Sequence, residues 1–85
     1  MREFYLVPVN GRKSFYGKAV AIEKDNGEIE LKSYNTIVAK IVNGEFKRLW
    51  SGYSLTTMNH INAFIHTYGI SGGGKSWWDS LEVCN

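Results

Sequence analysis

Eight residues near the end of the chain, Gly69-Ile70-Ser71-Gly72-Gly73-Gly74-Lys75-Ser76, satisfy the phosphate-loop pattern G-x-x-x-x-G-K-[ST]. In a nucleotide site the backbone N–H groups of such a loop cradle phosphates and the lysine reaches the terminal ones. That chemistry needs a buried strand before the loop, a long helix after it and a later aspartate for magnesium. Here the loop follows a helical pattern, and only nine residues remain after Ser76. Three consecutive glycines also make the match easy by composition alone. The segment therefore reads as a flexible hinge before a tryptophan-bearing arm.

The other reactive side chains are few. His60 and His66 stand six positions apart, a rotation of about 240° on a helix, so they cannot share a metal as an i, i+4 pair can. His60 lies beside Asn59 and Asn62 and is expected to cap or bond a backbone carbonyl. His66 is expected to face solvent near a helix C-terminus, where positive charge is favoured. Neither has an evident orienting acid or nucleophile. The single cysteine, Cys84, allows no intramolecular disulfide and no thiolate zinc site. The acids Glu23, Asp25, Glu28, Glu30 and Glu45 are dispersed along strand-like runs, so no carboxylate pair points to glycoside or aspartyl chemistry. No catalytic residue, metal or cofactor is expected, and the chain reads as non-enzymatic.

Binding chemistry is better represented. Nine of the ten basic residues but only six of the eight acids fall in the first fifty positions, giving that half about +3. Several alternate with aromatics: Arg12-Lys13-Ser14-Phe15-Tyr16-Gly17-Lys18, Lys32-Ser33-Tyr34 and Lys47-Arg48-Leu49-Trp50. Cations interleaved with stacking rings can bind single-stranded nucleic acid. The candidates are Arg12, Lys13, Tyr16, Lys18, Lys32 and Tyr34. An ordinary solvated β-face, whose lysines discourage edge-to-edge association, would carry the same residues.

These side chains need a scaffold, and 85 residues with 44% hydrophobic and 14% aromatic content supply one small core. The net charge of +2 argues neither for a polyanion-binding tail nor for an acidic mimic of nucleic acid. No apolar run approaches the ~20 residues of a membrane helix, and Met1-Arg2-Glu3-Phe4 lacks the apolar stretch of a signal peptide. A soluble cytoplasmic protein with no membrane partner is expected.

Asn-Gly occurs at Asn10-Gly11, Asn26-Gly27 and Asn43-Gly44. Both residues tolerate positive φ, so each pair predicts a tight hairpin turn. Alternating apolar residues flank them, as in Glu28-Ile29-Glu30-Leu31-Lys32. The expected fold is α+β: a four-stranded antiparallel β-meander over roughly 3–9, 13–24, 28–42 and 45–50. Gly17 and Ser33-Tyr34-Asn35 are expected to be bulges in the two long strands. Pro8, which cannot donate to a ladder, places the first strand at an edge.

After Gly52 the period changes. Met58, Ile61, Ile65 and Tyr68, with Leu55 and Phe64 beside them, mark an amphipathic helix over about 55–68 packed on one face of the sheet. Ser54, Thr56 or Thr57 can cap its start. Gly69 suits a left-handed closure with Ile70 against Ile65. Residues 1–70 are thus read as the domain, and 71–85 as a Gly-rich linker and a short tail containing Trp77 and Trp78. At least one of those tryptophans is expected to pack on the sheet or into a partner.

Two stretches carry a resemblance: Ser33-Tyr34-Asn35-Thr36-Ile37-Val38-Ala39, and Trp50-Ser51-Gly52-Tyr53-Ser54-Leu55-Thr56-Thr57-Met58-Asn59-His60-Ile61-Asn62-Ala63-Phe64. The pattern S-Y-x-T-x-V-A followed by S-x-T-T-x-x-H-I-N-x-F resembles an uncharacterised family of small proteins from phages, plasmids and their Gram-positive hosts. The similarity covers roughly residues 14–70 and leaves the tryptophan tail outside. It implies a mobile-element accessory protein acting in the host cytoplasm. Such a protein would inhibit a host protein complex by binding it, a CRISPR effector nuclease included, in the manner of an anti-CRISPR protein. Because hot spots favour Trp, Tyr and Arg, the residues expected at that interface are Trp77, Trp78, Tyr53, Trp50 and Arg48, with Lys75 steering. A nucleic-acid-binding accessory or regulatory protein is the alternative. A monomer and a homodimer are both compatible with so small a core.

Overall fold

The computed structural model describes residues 1–9 and 14–84. The Asn10-Gly11 turn expected from the sequence, together with Arg12 and Lys13, lies outside them. Five strands form one sheet: β1 (Arg2–Tyr5), β2 (Ala19–Glu23), β3 (Ile29–Ser33), β4 (Thr36–Val42) and β5 (Glu45–Arg48). They lie side by side in chain order, and every neighbouring pair is antiparallel. Helix α1 (Leu55–Tyr68) follows, then the short helix α2 (Lys75–Ser80). The α+β meander is as expected, but with five strands instead of four.

The extra strand arises because the 28–42 run is not continuous. Ser33 pairs with Thr36, so Tyr34 and Asn35 form a tight turn, and Tyr34 takes a left-handed φ of 55°. The bulge expected at Ser33-Tyr34-Asn35 is therefore a hairpin tip. The sheet's real bulge lies at Val38, where the register slips from Leu31↔Ala39 to Lys32↔Ile37. Gly17 likewise sits in a turn: Tyr16 (φ 55°) and Gly17 (φ 75°) are closed by the Lys18 N–H on the Phe15 carbonyl at 3.0 Å. Strand β2 starts only at Ala19.

The described Asn-Gly turns differ from each other. Asn43 and Gly44 both have positive φ between the paired Val42 and Glu45, which is the two-residue turn the dipeptide predicts. At Asn26-Gly27 only the glycine is left-handed. The Gly27 N–H donates to Lys24 O, and Asn26 Oδ1 accepts from the Glu28 N–H at 3.0 Å, giving a wider loop. Strand β1 is an edge strand, as Pro8 implies. Leu6 N–H still donates to Ala19 O at 2.9 Å. By antiparallel alternation Pro8 is the next residue that should donate inward, and it has no N–H, so pairing stops there.

One sheet face is built from Ala19, Ala21, Leu31, Ala39 and Ile41, all buried. Three of the five are alanines, whose small side chains let a helix approach closely. Helix α1 sets Met58, Ile61, Ala63, Phe64 and Ile65 against that face. Ser54 Oγ accepts the Thr57 N–H at 3.1 Å, capping its start. At its end Gly69 is left-handed (φ 70°), and the Ile70 N–H reaches Ile65 O at 2.9 Å, which is the closure read from the sequence. Tyr68 is half-buried and donates to Glu23 Oε2 at 2.7 Å, pinning α1 to β2. Leu55 departs from the expected stripe: it is 66% exposed, because the first helical residue overhangs the core.

The segment 71–84 also meets the sheet. Trp78 is wholly buried and packs edge-on to Phe46, with ring centroids 6.4 Å apart. Trp77, half-buried, lies 5.0 Å from the same ring. A Cβ on Gly72 would collide with the Trp77 indole, so that glycine leaves room for the tryptophan. No helix among the described residues is long and apolar enough to cross a membrane.

Loss of a fully buried aromatic costs about 3–5 kcal/mol, a large share of the ~5–15 kcal/mol that holds a small domain together. Thermal or urea melts of Trp78→Ala should show a destabilisation of that size. Leu55→Ala should stay within about 0.5 kcal/mol of the parent.

Candidate functional site

Three constellations of polar and aromatic side chains stand out, and the topology treats each differently. The first is centred on Arg48, the last residue of β5. In the alternating run Glu45-Phe46-Lys47-Arg48, Arg48 shares the inward face with Phe46, opposite Ala39. It is 7% exposed. Its Nε donates to Trp50 O at 2.8 Å. Nη1 donates to Trp78 O at 2.8 Å and Leu81 O at 3.3 Å. Nη2 donates to Ser51 O at 2.9 Å and Gly52 O at 3.5 Å. All five guanidinium hydrogens thus have a carbonyl. The guanidinium carbon sits 4.4 Å from the Trp78 ring centroid, and the indole N–H in turn donates to Gly52 O at 2.8 Å.

This geometry overturns the expectation that Arg48 and Trp78 present themselves to a partner: both are built into the fold. The other residues of that expected interface are largely engaged as well. Trp50 is half-buried, with its indole against Gly52. Lys75 pairs with Asp79 at 2.7 Å and lies 5.3 Å over the Tyr53 ring. The hydrogen bond to Asp79 raises the Lys75 ammonium above the ordinary lysine value. Tyr53 keeps an exposed edge.

The second constellation joins the two motifs that carry the sequence resemblance. Ser33 at the end of β3 places its Oγ 2.7 Å from His60 Nδ1 and 3.2 Å from Thr57 Oγ1 on α1. Phe15 packs edge-on to the imidazole at 4.6 Å, and Tyr34 lies over it at 5.6 Å. His60 therefore bonds a serine side chain, where the sequence suggested a cap or a backbone carbonyl. A serine within hydrogen-bond reach of a histidine is the spacing of a nucleophile and its base. Here the third group is a threonine hydroxyl, and Ser33 and His60 are only 3% and 1% exposed. The cluster acts as an internal polar lock between the hairpin tip and α1. Burial pushes the His60 pKa below its usual 6.5, so the fold holds a neutral ring.

The third constellation is on the sheet face away from α1. A concavity of about 550 Å³ is lined by Glu3, Phe4, Tyr5, Gly17, Lys18, Val20, Lys32, Tyr34 and Asn35. Three of the nucleic-acid candidates, Lys18, Lys32 and Tyr34, meet here. Tyr16 is 80% exposed in the turn that brings Gly17 to the rim. Arg12 and Lys13 lie outside the described residues. Sequence reasoning missed Tyr5, whose ring rests beside Gly17 and is largely exposed. The available signal was its odd position in Glu3-Phe4-Tyr5-Leu6, which puts it on the face opposite Phe4 and Leu6.

The charges here differ from those elsewhere among the described residues. Lys24, Lys40, Lys47 and Lys75 each pair with a carboxylate. Among the described residues, Lys18 and Lys32 are in no ion pair. Both tyrosines at the turns, Tyr16 and Tyr34, have φ of 55°, an uncommon backbone for a bulky side chain. No group of three or more His, Cys, Asp or Glu among the described residues could hold a metal ion.

Residues 5–80 match the model of DUF8033, a family of unknown function, and the chain belongs to that family. The match runs beyond the 14–70 stretch that resembled a known pattern and takes in Trp77 and Trp78. Neither a curated protein nor a solved structure matches the chain.

Two outcomes follow from the polar clusters. Arg48→Lys keeps the charge but offers fewer donors without the planar fork, leaving several carbonyls unpaired; chemical denaturation should show a loss of about 2–4 kcal/mol. For His60, the unfolded chain binds a proton near pH 6.5, whereas the folded chain resists it to lower pH. Its contribution is therefore complete above that value and declines as pH falls through the window beneath it. Stability measured from pH 8 to pH 5 should decline below about 6.5, and His60→Gln should flatten that slope.

Proposed function

We propose that this member of the DUF8033 family is a non-enzymatic binding module that takes single-stranded nucleic acid on the open face of its sheet, around Tyr5, Lys18, Lys32 and Tyr34. The observation that carries the reading is the coincidence of the two ion-pair-free lysines with exposed tyrosine rings in one concavity. Phosphates would meet the ammonium groups and bases would stack on the rings, a combination that tolerates many sequences. Glu3 is the only acid lining this concavity among the described residues, and it would disfavour close phosphate approach at the β1 end. The strand is thereby directed toward the Lys18–Lys32 side. Tyr16 stands beside this path and extends the stacking surface.

A second reading follows from the resemblance of the two motifs. The chain would be a phage- or plasmid-borne accessory protein that acts in the host cytoplasm by blocking a protein complex, such as a CRISPR effector nuclease. The observation favouring it is the exposure of Tyr5, Val7, Tyr16 and Tyr34. Tyrosine is a preferred interface anchor, and exposed apolar residues near it mark protein contacts. The same face would then serve, while Trp78 and Arg48 belong to the core beside β5.

Fluorescence anisotropy with labelled single-stranded DNA and RNA separates the two. On the nucleic-acid reading, affinity should fall with salt at a slope of about −0.7 per phosphate neutralised. Lys18→Ala with Lys32→Ala should flatten that slope by about 1.4. Tyr5→Ala should weaken binding by about 1–3 kcal/mol. Absent or salt-independent binding ends the nucleic-acid reading. Nuclease-resistant capture of a defined host protein, lost in Tyr5→Ala, would then support the second.

A further inference from the structure

The two edges of the sheet are not alike. Strand β5 is engaged at its end: Arg48 bridges Val83 in parallel, and the Cys84 N–H donates to Arg48 O at 2.6 Å. Beyond β1 no strand pairs among the described residues. The register of β1 on β2 defines what its outer side offers. Arg2 faces Glu23 and Phe4 faces Ala21, and Leu6 donates to Ala19. These even-numbered residues are the hydrogen-bonded partners of β2, so by antiparallel alternation the N–H and C=O groups of Glu3, Tyr5 and Val7 point outward. The side chains of Tyr5 and Val7 are also exposed, at 71% each. An edge with free backbone groups and exposed apolar side chains is a template for another strand.

We propose that β1 pairs with β1 of a second copy of this chain, antiparallel across a two-fold axis, to form a continuous ten-stranded sheet. Charge complementarity identifies the occupant. With the axis at Tyr5, Tyr5 meets the partner's Tyr5 and Glu3 meets the partner's Val7. No like charges then lie directly opposite, and each paired residue has outward backbone groups. Lys18 immediately precedes Ala19, which lies opposite Leu6. Lys18 is therefore one strand inward from Val7, and the partner's Glu3 approaches its ammonium across two strand spacings, roughly 10 Å. At about a Debye length, that attraction favours this register without neutralising the lysine. An axis at Glu3 sets two carboxylates directly opposite, which is unfavourable, and an axis at Phe4 sets Glu3 opposite Tyr5, farther from Lys18. A two-fold pairing consumes the β1 edge of both copies, so the assembly closes at two copies.

Sedimentation velocity of the full chain, without nucleic acid, from about 10 µM to about 1 mM tests this directly. The expected result is a mass rising toward twice that of the chain. Val7→Glu, which sets a carboxylate opposite the partner's Glu3, and Glu3→Pro leave the inward ladder through Phe4 and Leu6 intact. Each should weaken dimerisation at least about tenfold, or 1.4 kcal/mol, with circular dichroism checking the fold. Should a variant unfold, backbone amide shifts of the unaltered chain give the answer: concentration-dependent changes should centre on Arg2–Val7. A chain that stays monomeric throughout, one that grows beyond two copies, or a dimer whose shifts map elsewhere overturns the proposal.

Discussion

A buried positive charge with no carboxylate paired to it among the described residues is the constraint on which the rest of this fold depends. Removing a guanidinium from water carries a desolvation cost of several kcal/mol in a real protein. Arg48 meets it with carbonyl oxygens from the 50–52 turn and from the end of α2. Those from α2 are at a helix C-terminus, where unpaired carbonyls and the helix dipole favour a cation. The indole of Trp78 covers the remaining face. One side chain therefore specifies where β5 ends, how the following turn is shaped and where the C-terminal helix docks. The glycines participate passively, Gly52 and Gly72 yielding space to Trp50 and Trp77.

The opposite end of the sheet is tied by different chemistry. Ser33, Thr57 and His60 form a neutral hydroxyl–imidazole chain between the β3–β4 hairpin tip and the first turns of α1. With α1 and α2 packed on one face, the other remains open. Its exposed aromatic rings are positioned by backbone features: Tyr34 and Tyr16 by left-handed turns, Tyr5 by its parity in β1. The recognisable motifs thus encode the internal lock, and the proposed ligand face grows out of the turns around it.

This division explains what could be read from the chain. Helix α1 was legible end to end because Ser54, Gly69 and Ile70 act locally, within a turn of the residues they cap. The Asn43-Gly44 turn was legible for the same reason. The break at Tyr34-Asn35 was not, since neither glycine nor proline marks it and the left-handed tyrosine is held by tertiary contacts, including its N–H on Lys18 O at 2.8 Å. The role of Arg48 was hidden by its charge, which suggested exposure. Its parity with Phe46 pointed inward, but the carbonyls that satisfy it lie up to 33 positions away, and no local rule announces them. Lys18 and Lys32 were legible as a basic, aromatic-rich pattern. Their freedom from ion pairs emerged only when the strands were in register.

The distance in sequence between Arg48 and its carbonyl cage also imposes an order of events. The strands of a meander find one another through short hairpin loops, and their contacts form early and locally. The guanidinium, however, has no complete set of partners until Trp78 and Leu81 have been synthesised and have swung back. Until then the emerging chain carries a sheet with an unpaired cation, an uncovered Phe46 and an open β5 edge, the kind of intermediate that associates wrongly. The final turn of helix is in this sense a kinetic latch: it ends the period in which the nascent domain is exposed to its neighbours.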